Sequence, residues 1–344
     1  MGATDNSKLR PDPLEAELSS SATRQSKFAA IDLGTNTCRL LIAKPHNNSF
    51  TVLDAFSRAV RLGGDFENEI LAPEAIHRTL AALKVCASKI NHQNVTHIRA
   101  VTTEVCRRAR NSDEFLREVQ KQTGLTLEII TAAEEAELAL DGCRELVTDS
   151  SSNILLFDIG GGSTQIIWQP GKPPSHVLSI PFGVVALAKL FDDLPSHPTR
   201  YTELIAEVAQ HLKAFDAQHG IAAVLDKSSI QMIGTSGTVT TLASVSRGLT
   251  FYDRNQIDGI FLNTTDAVQI GRKLSVMSVA ERAGYSCIGK RRADLVVGGC
   301  AIFEAICATW PVKELRVADR GVREGVLLNL MKQHGAFSAT TWAH

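Results

Sequence analysis

The chain has 344 residues, 44% of them apolar, and a formal net charge of -1 at pH 7. That length can bury the cores of two domains. The charge excludes a general attraction for polyanions, so an anionic substrate must be held by local clusters of Arg and Lys. No apolar run reaches membrane-spanning length. The seven cysteines include no C-x-x-C pair and the ten histidines no metal-ligand spacing, a pattern of buried reduced thiols in a cytoplasmic protein rather than of a disulfide or zinc framework.

Residues 1–26 hold Pro11, Pro13 and a Ser19-Ser20-Ser21 run but no apolar h-region, which predicts a flexible N-terminal tail and not a secretory signal. The first apolar run, Phe28-Ala29-Ala30-Ile31, closes on Asp32 and turns at Leu33-Gly34-Thr35-Asn36-Thr37, as a buried strand entering a hairpin does. A return strand over 39–44, a turn at His46-Asn47-Asn48-Ser49 and a strand over 50–61 follow. The helix expected over 73–90 opens at Pro73 and repeats Ile76, Leu80, Leu83 and Ile90 at helical spacing. Next come a strand over 95–102, a basic helix-like segment with Arg107, Arg108 and Arg110, a helix over 113–123 closed by Gly124, and a strand over 127–130. A helix over 131–146 then carries Glu134, Glu135 and Glu137 on its first turns.

A polar break over 149–153 separates this half from a second apolar run, Ile154-Leu155-Leu156-Phe157, which closes on Asp158 and turns at Gly160-Gly161-Gly162-Ser163-Thr164. Strands run on to Ser179-Ile180-Pro181-Phe182-Gly183, and a third loop, Gly234-Thr235-Ser236-Gly237-Thr238, follows Met232-Ile233. Val296-Val297-Gly298-Gly299 reads as a strand and tight turn before a helix over 301–308. One Asp-x-Gly turn is ordinary hairpin chemistry. Two of them with a third Gly/Thr/Ser loop imply a duplicated phosphate-handling fold, because glycines let main-chain N–H groups approach an anion and hydroxyls add donors. An aspartate beside phosphate makes sense only with a divalent cation or an ordered water between them. Strands and helices repeated in this order imply two α/β domains.

Eight segments in order resemble the exopolyphosphatase and guanosine pentaphosphate phosphohydrolase (Ppx/GppA) family, a branch of the actin-like ATPase superfamily. They are Ile31-Asp32-Leu33-Gly34-Thr35-Asn36-Thr37, Arg61-Leu62-Gly63, Arg107-Arg108-Ala109-Arg110-Asn111, Glu134-Glu135-Ala136, the Asp158 to Thr164 turn, the Ser179 to Gly183 segment, the third loop, and Asp319-Arg320-Gly321-Val322-Arg323-Glu324-Gly325. The resemblance implies the short form with two similar ribonuclease-H-like domains flanking a cleft. The N-terminal domain covers 27–136, completed by a C-terminal helix near 322–335, and the second covers 137–321. It also implies an exopolyphosphatase that removes terminal orthophosphate processively from inorganic polyphosphate. Hydrolysis of guanosine pentaphosphate, or a non-catalytic nucleotide-binding module, are the alternatives. Neither a nucleic acid nor a membrane is expected as partner, and a homodimer stays open.

By the same resemblance Glu135 is the general base, Asp158 orients water or metal, and Asp32 and Asp158 hold Mg2+. Asn36, Thr37, Gly160, Gly161, Gly162, Ser163 and Thr164 should hold the terminal phosphate, with Gly234, Ser236, Gly237 and Thr238 from the third loop. Arg61 and Arg107 are the expected phosphate clamps, since guanidinium offers forked donors. Arg291, Arg292, Arg320 and Arg323 either guide a long polyanion or pair with Asp294, Asp319 and Glu324. Three positions depart from the family pattern: Arg108 stands where Glu is frequent, Glu104 where a small residue is frequent, and Gln165 where Glu is usual. The last removes one acid from the expected metal arrangement.

Overall fold

A computed structural model describes residues 26–148, 153–191, 199–225 and 230–337. Apart from Ser26 and Asn153, the expected tail and the polar break lie outside the described residues. Strand β1 (Phe28–Leu33) is apolar up to Asp32 because both of its faces are covered. Ala29, Ile31 and Leu33 join one core with Leu83 and Cys86, while Phe28 and Ala30 join another with Leu138 and Met331. It pairs antiparallel with β2 (Thr37–His46), which turns through Asn47, at a φ of 52°, into β3 (Ser49–Ala59). Asn tolerates that left-handed conformation.

The first half continues with α1 (Pro73–His92), β4 (His97–Thr102), α2 (Glu104–Arg108), α3 (Ser112–Thr123) and β5 (Leu127–Ile129). Helix α4 (Ala132–Cys143) follows and runs into a 3-10 turn, Arg144–Leu146. Thr131 caps α4 by accepting from the Glu134 N–H at 3.1 Å. The five strands order as β3-β2-β1-β4-β5, with β4 parallel to β1 and to β5.

The second half holds β6 (Asn153–Ile159), β7 (Thr164–Gln169), β8 (His176–Ile180), α5 (Val184–Ala188), α6 (Arg200–His219), α7 (Ile221–Leu225) and β9 (Ile230–Thr235). After it come α8 (Ser236–Ser246), α9 (Arg254–Ile257), β10 (Phe261–Asn263), α10 (Thr264–Ser275), α11 (Val279–Gly284), α12 (Val296–Thr309), β11 (Glu314–Ala318) and α13 (Val322–Gln333). Its sheet runs β10-β11-β9-β6-β7-β8. Read from β8, the pairings are antiparallel, antiparallel, parallel and parallel, as in the first sheet read from β3, and β10 adds an antiparallel edge strand. This is the repeated ribonuclease-H-like topology. No helix among the described residues is long and apolar enough to cross a membrane.

One element differs from expectation. Val296-Val297-Gly298-Gly299 is the first turn of α12, not a strand and turn. Two valines and two glycines carry little helix propensity, but tertiary packing decides here. A Cβ at Gly298 would lie 2.9 Å from Leu187 Cβ, and one at Gly299 would lie 2.2 Å from Thr238 Oγ1. The glycines let α12 approach α5 and α8.

Helices α4 and α13 cross between the sheets. Helix α4 packs on β7 and β8, α13 packs on β1, β2 and β4, and the two touch through backbone. A Cβ at Gly142 would lie 2.0 Å from the Gly321 carbonyl oxygen, and one at Gly325 1.9 Å from that of Leu138. This contact fixes the second half of α4, the helix that carries Glu135, against the first turn of α13, which carries Arg323 and Glu324.

Candidate active site

Both aspartate turns are four-residue hairpins. The Gly34 N–H donates to the Thr37 carbonyl at 3.0 Å and the Gly160 N–H to that of Ser163 at 2.9 Å. Asp32 lies opposite Arg39 on β2, and Asp158 opposite Gln165 on β7. The turns also meet each other. A Cβ at Gly161 would fall 3.0 Å from Thr35 Cβ and 3.1 Å from Asn36 N, and one at Gly162 would fall 2.1 Å from Glu104 Oε2. Besides opening main-chain amides to an anion, the glycines allow the two halves to touch.

One cleft gathers Asn36, Thr37, Gly160, Gly161, Gly162, Ser163, Ser236, Gly237 and Thr238 around the three acids Asp32, Asp158 and Glu135. The third loop is no hairpin: β9 passes directly into α8, so Ser236, Gly237 and Thr238 form that helix's N-terminus. Such an end attracts anions. Ser236 is held at a φ of 91°, an uncommon conformation for a residue with a Cβ.

Four expected residues stand off the cleft wall. Thr164 is buried and donates its hydroxyl to the Phe182 carbonyl at 2.7 Å. Gly234 lies against the Phe157 ring, where a Cβ would be 2.6 Å away. Arg61 bridges the two halves by pairing with Asp294 at 2.8 Å and donating to the Arg291 carbonyl at 3.2 Å. Arg107 pairs with Glu135 Oε2 at 2.8 Å and donates to the Ile130 carbonyl. Conversely, Thr35, Arg39, Thr103, Glu104 and Thr241 line the cleft without having been singled out for it. Arg39 was detectable, because alternation along β2 puts it on the same face as Thr37.

The Ppx/GppA phosphatase family model matches residues 41–334. The chain belongs to the Ppx/GppA phosphatase family. Exopolyphosphatase 2 of Mycobacterium tuberculosis is 28% identical over 319 residues, covering 89% of this chain and 98% of that protein. The crystal structure of the Aquifex aeolicus Ppx/GppA family member superposes with a TM-score of 0.74 at 26% identity, covering 90% of this chain and 98% of its own. An exopolyphosphatase structure from Cytophaga hutchinsonii gives 0.79 at 25% identity, covering 91% and 100%. Membership makes this Ppx/GppA chain a phosphoanhydride hydrolase.

The electrostatics of the family's cleft in this chain follow from burial. Removal from water pushes Glu135 up to about 7, although Arg107 opposes the shift, and Asp158 up to about 6, although Arg39 opposes it. Burial raises Asp32 as well. Arg292 is lowered by burial and by the nearby Arg39. It donates to the Thr241 hydroxyl at 3.3 Å and lies over the Tyr252 ring, and among the described residues no carboxylate is within ion-pair distance, though Asp319 attracts it. The second basic group therefore divides. Arg320 pairs with Asp258 and Glu145 and Arg323 with Glu324 while both also line the cleft, and Arg292 lines it with no such pair among the described residues. Of the neighbouring acids, Glu134 is held by Arg99 at 2.6 Å, while Glu137 is exposed.

Asn36 Oδ1, Ser236 Oγ and Arg323 Nε are buried without a hydrogen-bond partner among the described residues. Such atoms are costly unless a ligand or water satisfies them. Among the described residues no three His, Cys, Asp or Glu side chains gather at metal-binding spacing. Asp32 and Asp158 line the cleft together with the carboxylates of Glu104, Glu135 and Glu324.

Proposed function

We infer that this chain is an exopolyphosphatase that releases terminal orthophosphate from inorganic polyphosphate. The observation that carries the reading is Glu135: a buried carboxylate raised to about 7, on the wall of a cleft built from two phosphate-type hairpins and a helix N-terminus. A base with that affinity for protons suits work near neutral pH. Its Oε2 is taken by Arg107, which leaves Oε1 to accept a proton from water. The water oxygen then bonds the terminal phosphorus as the bridging P–O bond breaks, and the shortened chain leaves with the bridging oxygen. Donors from the hairpin amides, Ser163, Thr37, Arg39 and Arg292 meet the charge on the phosphoryl oxygens.

Asp32 and Asp158 suit Mg2+, a hard cation that is usually held by one or two carboxylates and otherwise keeps waters and substrate phosphates. When bound, Mg2+ would neutralise charge on the transferring group. The orphaned buried atoms support an occupied cleft, and the names of the relatives support polyphosphate. Among the described residues the lining has hydroxyls, amides, arginines and carboxylates and the aliphatic Ile159, Val184, Leu295, Val296 and Val322, but no aromatic ring on which a guanine could stack, which favours inorganic polyphosphate over guanosine pentaphosphate.

The test is phosphate release from polyphosphate, guanosine pentaphosphate and ATP, each with and without Mg2+. Mg2+-dependent release from polyphosphate is the expected result. Release from guanosine pentaphosphate with none from polyphosphate would overturn the substrate, and no release from any of them would overturn the activity.

A further inference from the structure

We propose that Arg61 and Asp294 are positioning residues, whose ion pair clasps the segment 291–294 of the second half to the first hairpin and so aims Arg292 at the phosphoryl group in the cleft. The identity of that group rests on the exopolyphosphatase reading. Arg61 lies between β3 and α1 at a φ of 47°, a left-handed conformation that a residue with a Cβ keeps only where its surroundings over-determine it. They do so here. The Val60 and Arg61 N–H groups both donate to the Asn36 carbonyl, at 2.8 and 2.9 Å, and the Gly64 N–H donates to the Arg61 carbonyl at 3.0 Å. Arg78 donates to the carbonyls of Val60 and Arg61 at 3.1 and 3.4 Å. The root of the Arg61 side chain is thereby tied to the hairpin that carries Asn36 and Thr37.

Its head reaches the other half. Nη1 and Nη2 meet the two Asp294 carboxylate oxygens at 2.8 and 3.0 Å, and Nη2 also donates to the Arg291 carbonyl at 3.2 Å. A forked pair of this kind fixes direction as well as distance. The two contacts fall on either side of Arg292, whose own side chain is loosely held, by the Thr241 hydroxyl at 3.3 Å and the Tyr252 ring at 5.7 Å. The Arg292 carbonyl accepts from the Leu295 and Val296 N–H groups at 3.0 Å each, in the turn that opens α12. Those bonds lie inside the second half, so they set the shape of the turn and not its place relative to the first hairpin. Arg61 supplies that tie. It stands off the cleft wall that Arg292 lines, so it acts through Arg292.

A double-mutant cycle tests the coupling. Wild type, Arg61→Met, Arg292→Met and the double variant are titrated with inorganic phosphate by calorimetry, and their kcat and KM on polyphosphate are measured beside it. Thermal melts establish that each is folded. Arg61→Met should weaken phosphate roughly 3- to 10-fold in the wild-type background but by less than about 2-fold when Arg292 is already Met, and kcat/KM on polyphosphate should follow the same order. Asp294→Asn, which removes the charge from the pair, should weaken phosphate roughly 2- to 5-fold. That variant separates a clasp from a direct phosphate clamp, because an Arg61 that bound phosphate itself would bind it as well or better once freed from Asp294. If Arg61→Met fails to fold, Asp294→Asn in the two Arg292 backgrounds decides alone. Equal losses in both backgrounds, or undiminished phosphate affinity in a folded Asp294→Asn, would overturn the role. Failure of wild type to release phosphate from polyphosphate would instead sink the substrate reading and leave the phosphate titrations readable.

Discussion

The turns Gly34-Thr35-Asn36-Thr37 and Gly160-Gly161-Gly162-Ser163 close hairpins of the same length with the same Gly N–H bond, and each follows a strand whose penultimate residue is aspartate. The first is rich in side chains and the second is almost bare. Their contact explains the difference: Thr35 and Asn36 lie where Cβ atoms on Gly161 would project. Two turns meeting at the base of one cleft cannot both carry side chains, so duplication of the backbone forced asymmetry in composition. The charges diverge as well, with Arg39 facing Asp32 and Gln165 facing Asp158. One hairpin brings a cation to phosphate, and the other brings amides and a hydroxyl.

The largest effect should come from the acid that neither hairpin owns. Glu135→Gln should lower kcat on polyphosphate by roughly two to four orders of magnitude, the usual scale for a general base, with binding of polyphosphate by calorimetry little changed. Turnover near wild type in that variant would mean that the hairpin aspartates, not the shared glutamate, activate water.

Making the first hairpin resemble the second is the next test. Arg39→Gln removes the cation that attracts both Asp32 and Asp158, so kcat/KM should fall roughly 10- to 100-fold, in keeping with loss of a charge-assisted contact to phosphate. A change of less than about 2-fold would show that the other hairpin carries the binding.

A third test separates the halves. Gly325→Ala places a Cβ against the Leu138 carbonyl oxygen, where there is 1.9 Å of room, and should destabilise by about 1–3 kcal/mol, as overpacking does. The melting temperature should drop and activity with it, because the same crossing sets Glu135 relative to α13. Unchanged melting would show that α4 and α13 can slide apart freely.

The smallest effect is a displaced pH profile. Glu135 must be ionised to accept a proton, so kcat/KM should fall on the acid side with a midpoint at about 7. Arg107 lowers Glu135 against burial, and Arg107→Met should therefore move that midpoint to higher pH. Stability is linked to the same group: the raised native value means its favourable contribution is present below the unfolded value of 4.5 and lost as pH rises through about 7. A midpoint that stays in place in Arg107→Met would assign the acid limb to another group.

By itself the sequence determined both hairpins, the order of strands and helices apart from the Val296 segment, and the family, and it singled out the acids Asp32, Glu135 and Asp158, which the structure brings to one cleft. Each of these is written in local pattern: an apolar run closing on aspartate, a capped amphipathic helix, a turn that needs glycine. Helix α1 opens at Pro73 as its pattern predicts, and α3 stops at a left-handed Gly124. Only the tertiary structure decided that Arg61 and Arg107 spend their charge on Asp294 and Glu135, because the partner of an arginine is set by elements distant in the chain. Burial likewise raises Glu135 to about 7, and a single residue's solvent exposure has no local signature in sequence. The Val-Val-Gly-Gly segment became helix for the same reason: its glycines answer to Leu187 and Thr238, residues about sixty to over a hundred positions away that reach it only once the second sheet has closed on its helices.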